Sequence, residues 1–264
     1  MGNEQMHDIV ATINSYVWSS ALVYLCLGAG LFFSIMTRFV QVRQFGEMIR
    51  LLTRGKESAK GISTFQALAV SLSGRVGTGN IAGVAAAIGF GGPGAVFWMW
   101  VVAFLGASTA YIESALGQIY KEVDEGQYRG GPAFYIEKAL GQKWYAWIFA
   151  MSTVLATGFL LPGVQANAIG NAVDLAMGGG ALIDSPFGEV SQVKLMAGSV
   201  IVLFLGIIIF GGVKRIAHFT QVVVPVMALA YVVSALVIIA MNITIVPDII
   251  MLIVKDAFTP MAGF

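Results

Sequence analysis

A glycine-rich polar stretch, SLSGRVGTGNIAG at residues 71–83, interrupts an apolar segment. Gly74, Gly77 and Gly79 carry no Cβ, which lowers the cost of leaving helical geometry. Carbonyl groups at the end of a first half-helix suit a small cation, and amides at the start of a second, around Asn80, suit a carboxylate. The stretch therefore indicates a broken-helix site for an anion-bearing substrate and a coupling cation. Close packing of a glycine-rich helix against a neighbour is an equally open interpretation.

Two ionisable residues, Arg75 and Glu113, fall inside apolar segments, where charged groups are costly and usually functional. Unwinding the chain near Gly77 would bring the two side chains to similar depths. We therefore expect an Arg75–Glu113 ion pair. Two roles stay open for it: an internal gate that opens during transport, or a permanent strut between neighbouring spans.

Side-chain amides follow a proline in a later apolar segment, where Pro162 precedes Gln165 and Asn167. A proline disrupts the helix and frees carbonyl groups, so both amides can face a cavity. Buried amides can equally bridge neighbouring helices. The residues alone leave both roles open.

The composition indicates whether these groups lie in a water-soluble domain or within a lipid bilayer. The 264 residues are 58% hydrophobic and 11% charged, with a mean hydropathy of +0.82, which excludes an ordinary soluble domain. We predict an all-α, polytopic membrane protein, a single transmembrane domain over residues 1–264. Six spans are expected, at residues 17–36, 65–90, 95–120, 144–168, 193–212 and 219–241.

The basic residues predict the topology. Twelve of the fifteen lie on one side of the predicted spans, and only Lys194 and Lys255 lie on the other. By the positive-inside rule the N-terminus of this multi-pass protein is outside. Residues 38–60, basic with apolar residues every three or four positions, predict a helix in the interface. On the same side, residues 132–140 predict a short helix.

Catalytic groupings of residues are missing from the sequence, so no enzyme activity is expected. The single cysteine, Cys26, argues against a cysteine-based metal site or a disulfide framework. Residues 77–80 lack the strand and βαβ context that nucleotide binding requires. No cofactor and no nucleic-acid partner is expected.

Four motifs together carry a resemblance to a known family: residues 71–88 most specifically, supported by ESALGQIY at 113–120, GGPAFY at 130–135 and PGVQAN at 162–167. The chain resembles the alanine or glycine:cation symporters. The resemblance implies a leucine-transporter-type fold of two inverted five-helix repeats, here preceded by one extra helix. It also implies sodium-coupled uptake of small neutral amino acids, alanine and glycine first, across a prokaryotic cytoplasmic membrane.

The resemblance also implies roles for individual residues. Gly77, Thr78, Gly79 and Asn80 look like the unwound substrate and cation segment, whose amides would hold the substrate carboxylate. The Asn80 side chain and the Val76 carbonyl would hold sodium, the coupling ion. Gln165 resembles a substrate-contacting position. The implied partners are a small neutral amino acid, a sodium ion and the lipid bilayer.

Family members have a second repeat, which we expect to be absent from this chain. Spans two to six would then form the first repeat, making the chain the N-terminal half of a symporter. A truncated or split gene product is one interpretation. A half-protein that needs a partner chain, or an inverted homodimer, is the other, although the charge bias fixes a single orientation. A non-transporting scaffold is the alternative function, whereas a channel is disfavoured because polarity is concentrated at few positions.

Overall fold

The computed structural model describes residues 2–54, 61–124, 126–185 and 188–259. Almost all secondary structure in these residues is helical, interrupted by two π-helical segments and two antiparallel hairpins. The α-helices are α1 (Gly2–Val17), α2 (Ser20–Met36), α3 (Val40–Arg43), α4 (Phe45–Arg54), α5 (Thr64–Ser73), α6 (Val84–Gly91), α7 (Ala95–Ile119), α8 (Pro132–Leu140), α9 (Lys143–Leu155), α10 (Leu161–Ala176), α11 (Gln192–Ile209), α12 (Gly212–Met241) and α13 (Val246–Asp256). The π-helical segments are Gly79–Gly83 and Ala156–Leu160, and the strands are β1 (Glu122–Asp124), β2 (Gln127–Arg129), β3 (Leu182–Ser185) and β4 (Gly188–Ser191).

Among the described residues, five helical stretches are long and apolar enough to cross a bilayer. They are Asp8–Met36, Ala95–Ile119, Lys143–Ala176, Gln192–Ile209 and Gly212–Met241. The predicted class is confirmed: the chain is an all-α, polytopic membrane protein.

The remaining predicted span, residues 65–90, consists of two short apolar helices. One is α5 and the other combines the π-helical segment Gly79–Gly83 with α6. A capping box begins α5: Ser63 Oγ accepts the Gln66 N–H, and Gln66 Oε1 accepts the Ser63 N–H. The helix ends before Gly74, where the glycine-rich stretch begins.

Several segments differ from the sequence-based expectation. The N-terminal residues, expected as an external tail, form helix α1. The predicted helix over residues 132–140 is confirmed as α8, which starts at Pro132 and ends before Gly141 in the left-handed region. The helix predicted to end at residue 168 continues to Ala176. Neither hairpin was predicted, and the first is tied to α8 because Lys138 Nζ lies 2.7 Å from Glu122 Oε1.

Small residues hold α2 against α7. Ser34 Oγ donates to Ser108 Oγ at 3.0 Å, Ser108 Oγ lies 2.9 Å from the Gly30 carbonyl oxygen, and both serines are fully buried. A Cβ on Gly30 would lie 2.9 Å from Leu105 Cβ. This combination of close backbone approach and interhelical hydrogen bonds is how helices associate in membranes, where no hydrophobic effect drives them together.

Helix α13 packs on the start of α7. Asp256 Oδ2 accepts the Gly94 N–H at 2.9 Å, and the Ala257 carbonyl accepts Trp98 Nε1–H at 2.7 Å. A Cβ on Gly94 would lie 2.4 Å from the Ala257 nitrogen. The contact satisfies one of the N-terminal amides of α7 that has no partner within the helix.

The α2–α7 contact can be tested with two glycines of one helix. We expect Gly30→Ala to destabilise the protein by about 1–3 kcal/mol, because the added methyl group overpacks against Leu105. Gly28→Ala is the matched control, since nothing lies within 4 Å of its new Cβ. Unfolding of the detergent-solubilised protein measures both. Equal stability of the two variants would contradict the described packing.

Candidate functional site

The break between α5 and the π-helical segment leaves backbone groups without helical partners. Leu72 O accepts the N–H groups of Arg75 and Val76, and the next backbone carbonyl to accept is Gly77 O, from Asn80. Among the described residues, the carbonyls at positions 73–76 therefore accept no backbone hydrogen bond. Such groups persist at membrane depth only when protein, water or a ligand satisfies them. Carbonyl oxygens of this kind are suitable ligands for a hard cation.

A side chain from another helix occupies the opposite end of the break. Gln165 Oε1, on α10, accepts the Thr78 N–H at 3.2 Å. The approach is close, because a Cβ on Gly77 would lie 2.8 Å from Gln165 Nε2. The structure thus brings together Gly77, Thr78 and Gln165, which the family resemblance implies share one site. The contact also shows Gln165 acting as a bridge between helices.

Both helices that meet at this contact are irregular. The π-helical segment Gly79–Gly83 follows Thr78, and the second one, Ala156–Leu160, immediately precedes α10. Single π-helical turns within helices are frequent at functional sites. The second segment was not predicted, although Thr157 and Gly158 gave a local signal for it. Pro162 lies inside the helical stretch Lys143–Ala176, two residues after the π-helical segment, and its missing N–H removes one hydrogen bond of the helix there.

The predicted sodium ligands lie at the two ends of the break. Val76 immediately precedes Gly77, whose carbonyl accepts a hydrogen bond at the start of the second half-helix. Asn80 lies inside the π-helical segment. The Asn80 N–H donates to the Gly77 carbonyl at 3.1 Å, and its side chain is exposed. Gly79 has open space around its Cα, since a Cβ added there would have nothing within 4 Å. The sodium and substrate roles of these residues stay predictions.

The expected Arg75–Glu113 ion pair is not formed among the described residues. Arg75 Nη1 instead donates to its neighbour one turn earlier, reaching the Ser71 carbonyl at 3.1 Å and also Ser71 Oγ. The local partner is favoured because a cation at the C-terminal end of α5 complements the helix dipole and satisfies an end carbonyl. The spacing of Ser71 and Arg75 was the signal for this contact. A permanent strut between the spans is therefore not what the structure shows.

Arg75 and Glu113 nevertheless line one cavity of about 400 Å³. Its wall includes Lys121 and Gly131, so it lies where α7 ends and α8 begins. Burial raises the pKa of the Tyr135 phenol on α8, and the charge of Glu113 adds to the shift. Glu113 thus lies near α8 as well as near the break.

The sequence profile of the Sodium:alanine symporter family matches residues 3–264. The chain belongs to this family. It is a family of transporters, not of enzymes. The match runs along nearly the whole chain and is not confined to one part of it.

Individual relatives named as carriers or symporters also match nearly the whole length of this chain. A Bacillus subtilis protein named as a candidate sodium/proton-dependent alanine carrier is 54% identical over 98% of this chain and 51% of its own length. An amino-acid carrier protein of the same organism is 42% identical over 95% of this chain and 51% of its own length. A sodium/alanine symporter of Methanococcus maripaludis is 37% identical over 97% of this chain and 56% of its own length. The chain spans about half the length of these curated relatives.

The contact between Thr78 and Gln165 can be tested without measuring transport. We expect Gln165→Ala to speed hydrogen exchange of the Thr78 amide about fivefold, because a net hydrogen bond of about 1 kcal/mol is lost. Asn167→Ala in the same helix is the control, since Asn167 Oδ1 accepts from Asn171 and lies outside the break. Deuterium exchange of the purified protein measures both variants. An unchanged Thr78 amide in Gln165→Ala would show that the contact is not made.

Proposed function

We propose that the chain is the substrate-binding part of a sodium-coupled symporter for small neutral amino acids, alanine and glycine first. The Thr78 N–H to Gln165 Oε1 hydrogen bond is the observation that carries the proposal. It places an amide oxygen where a substrate carboxylate oxygen would accept from the same N–H. The family membership and the names of the relatives support the choice of alanine and sodium.

The two ends of the break bind two different charges in this proposal. The substrate carboxylate accepts from the amides of residues 77–80, at the positive end of the second half-helix. It competes with Gln165 for the Thr78 N–H, and Gln165 then contacts the substrate. Sodium binds to the Val76 carbonyl and the Asn80 side chain, beside the carbonyls of residues 73–75, which accept no backbone hydrogen bond.

The rest of the site comes from a second repeat, which a further stretch of protein or a partner chain supplies. The described residues would form the first repeat of a leucine-transporter-type fold with one extra N-terminal helix. Alternating access then comes from rocking of the broken-helix bundle against the other helices, with sodium stabilising the substrate-receptive state. The Arg75–Glu113 pair would act as a gate, forming only in another state, and both side chains already face one cavity.

The proposed orientation places the N-terminus outside and the basic loops in the cytoplasm. It rests on the positive-inside rule. It also places the protein in the cytoplasmic membrane, where a sodium gradient can drive uptake.

Uptake of labelled alanine into proteoliposomes tests the proposal. We expect accumulation driven by an inward sodium gradient when the chain is reconstituted with the second repeat, and none from the folded chain alone. Accumulation by the chain alone would show that it builds a complete site, as in a homodimer. Absence of sodium-driven uptake from the folded, reconstituted pair would contradict the symporter proposal.

The role of Asn80 separates a symporter from a scaffold. In the reconstituted protein we expect Asn80→Ala to raise the half-saturating sodium concentration about tenfold, because one charge–dipole ligand worth about 1.4 kcal/mol is removed. Asn242→Ala is the control, since Asn242 donates to the Ile238 carbonyl at the end of α12. A scaffold tolerates both substitutions equally.

A further inference from the structure

A second cavity lies away from the broken helix, where α2 ends against α7. Its volume is about 310 Å³. Its polar lining residues are Arg38, Arg43, Tyr111 and Thr37, and its apolar lining residues are Met36 and Val40. Within the part of the chain that the structure describes, no carboxylate lines this cavity. The cavity therefore combines positive charge with apolar surface.

The two arginines of this cavity make no ion pair or side-chain hydrogen bond with the described residues. Arg50, on the adjacent helix α4, differs because its Nη2 lies 2.6 Å from Glu47 Oε1. A guanidinium presents five donors in a planar fork that matches the oxygens of a phosphate group. Two such groups on one cavity without an acidic side chain predict an anionic ligand.

The backbone fixes the position of both arginines. Arg38 and Phe39 adopt left-handed backbone geometry, with φ of 54° and 53°. This bend turns the chain back from the end of α2 into α3, and the Phe39 ring lies 6.4 Å from the Phe104 ring on α7. Val40 is buried at the start of α3. The arginines therefore project from a backbone that packing holds in place.

The depth of the cavity points to a lipid ligand. Met36 is the last residue of the apolar stretch Asp8–Met36, and Arg38 follows it by two positions. The cavity thus lies at the end of a stretch that can cross the membrane, where lipid phosphates meet acyl chains, on the side that carries most basic residues. Helix α4 continues from this point with Phe45 and Met48 exposed, as expected of a helix lying in the interface.

We infer that this cavity binds the phosphate of an anionic phospholipid. Arg38 and Arg43 hold the phosphodiester oxygens, the Tyr111 hydroxyl donates to the headgroup, and Met36 and Val40 contact the start of an acyl chain. Charged pockets between membrane helices commonly recognise anionic headgroups in this way. The site is separate from the proposed transport site and does not depend on it.

Lipid retention by the delipidated, purified chain tests the inference. The probes are phosphatidylglycerol, phosphatidylcholine and soluble glycerol 3-phosphate, each followed by native mass spectrometry in detergent. We expect phosphatidylglycerol to be retained and phosphatidylcholine to be lost. Equal retention of phosphatidylcholine would overturn the inference, and so would displacement of phosphatidylglycerol by glycerol 3-phosphate, which would indicate a site for soluble anions.

Variants assign the retained lipid to the cavity. We expect the double variant Arg38→Gln, Arg43→Gln to lower phosphatidylglycerol retention at least about tenfold, because charge-assisted hydrogen bonds are removed. Arg50→Gln removes the same charge from α4 and should change retention less than about twofold. Equal losses in the two would show that general surface charge holds the lipid. If the double variant does not fold, Tyr111→Phe is measured in its place. Unchanged lipid retention in Tyr111→Phe would show that the phenol does not contact the lipid and would overturn the inferred set of contacts.

Discussion

Inside a bilayer, a backbone group that loses its helical partner has no water to replace it. Helix α5 ends inside an apolar segment, so the amides and carbonyls beyond it need partners from elsewhere in the protein. The Gln165 side chain supplies one of these partners for Thr78, from a helix 87 residues further along the chain. The position of α10, and the absence of a side chain on Gly77 that lets Gln165 approach, both follow from this requirement.

At the break, the charged side chain of Arg75 bonds to a residue close in sequence, whereas the neutral side chain of Gln165 comes from a distant helix. Arg75 donates to Ser71, four residues earlier, and does not pair with Glu113. Glu113 lies near Tyr135 on α8 instead. Gln165 is neutral, so it can reach into the break without the desolvation cost that a charge would incur. Its amide also offers both a donor and an acceptor, so it can pair with a backbone N–H or a backbone carbonyl.

Sequence patterns predicted the parts of this fold that a few residue types dictate. Glycines located the break, the proline and glycine at either end located α8, and the Pro162 region located the amide that meets the break. Two side-chain contacts, one distant and one local, lie where the prediction differed from the structure. Residues 169–192 were expected to lie between spans, yet α10 continues to Ala176, and Asp174 accepts from Ser191 on β4. Arg75 shares charge and predicted depth with Glu113, but its partner is Ser71, only four residues earlier.

The contact between α13 and the start of α7 can form only late in the synthesis of the chain. The Gly94 amide and the Asp256 carboxylate are 162 positions apart in the chain. At a synthesis rate of 5–20 residues per second, roughly 8 to 30 s separates the emergence of these two groups from the ribosome. During that interval the turn between α6 and α7 lacks its contact with α13, and four of the described membrane-capable stretches, α7 and three after it, are synthesised before the contact can form. The α6 end of the broken helix is thus among the last parts of the chain to reach its final form.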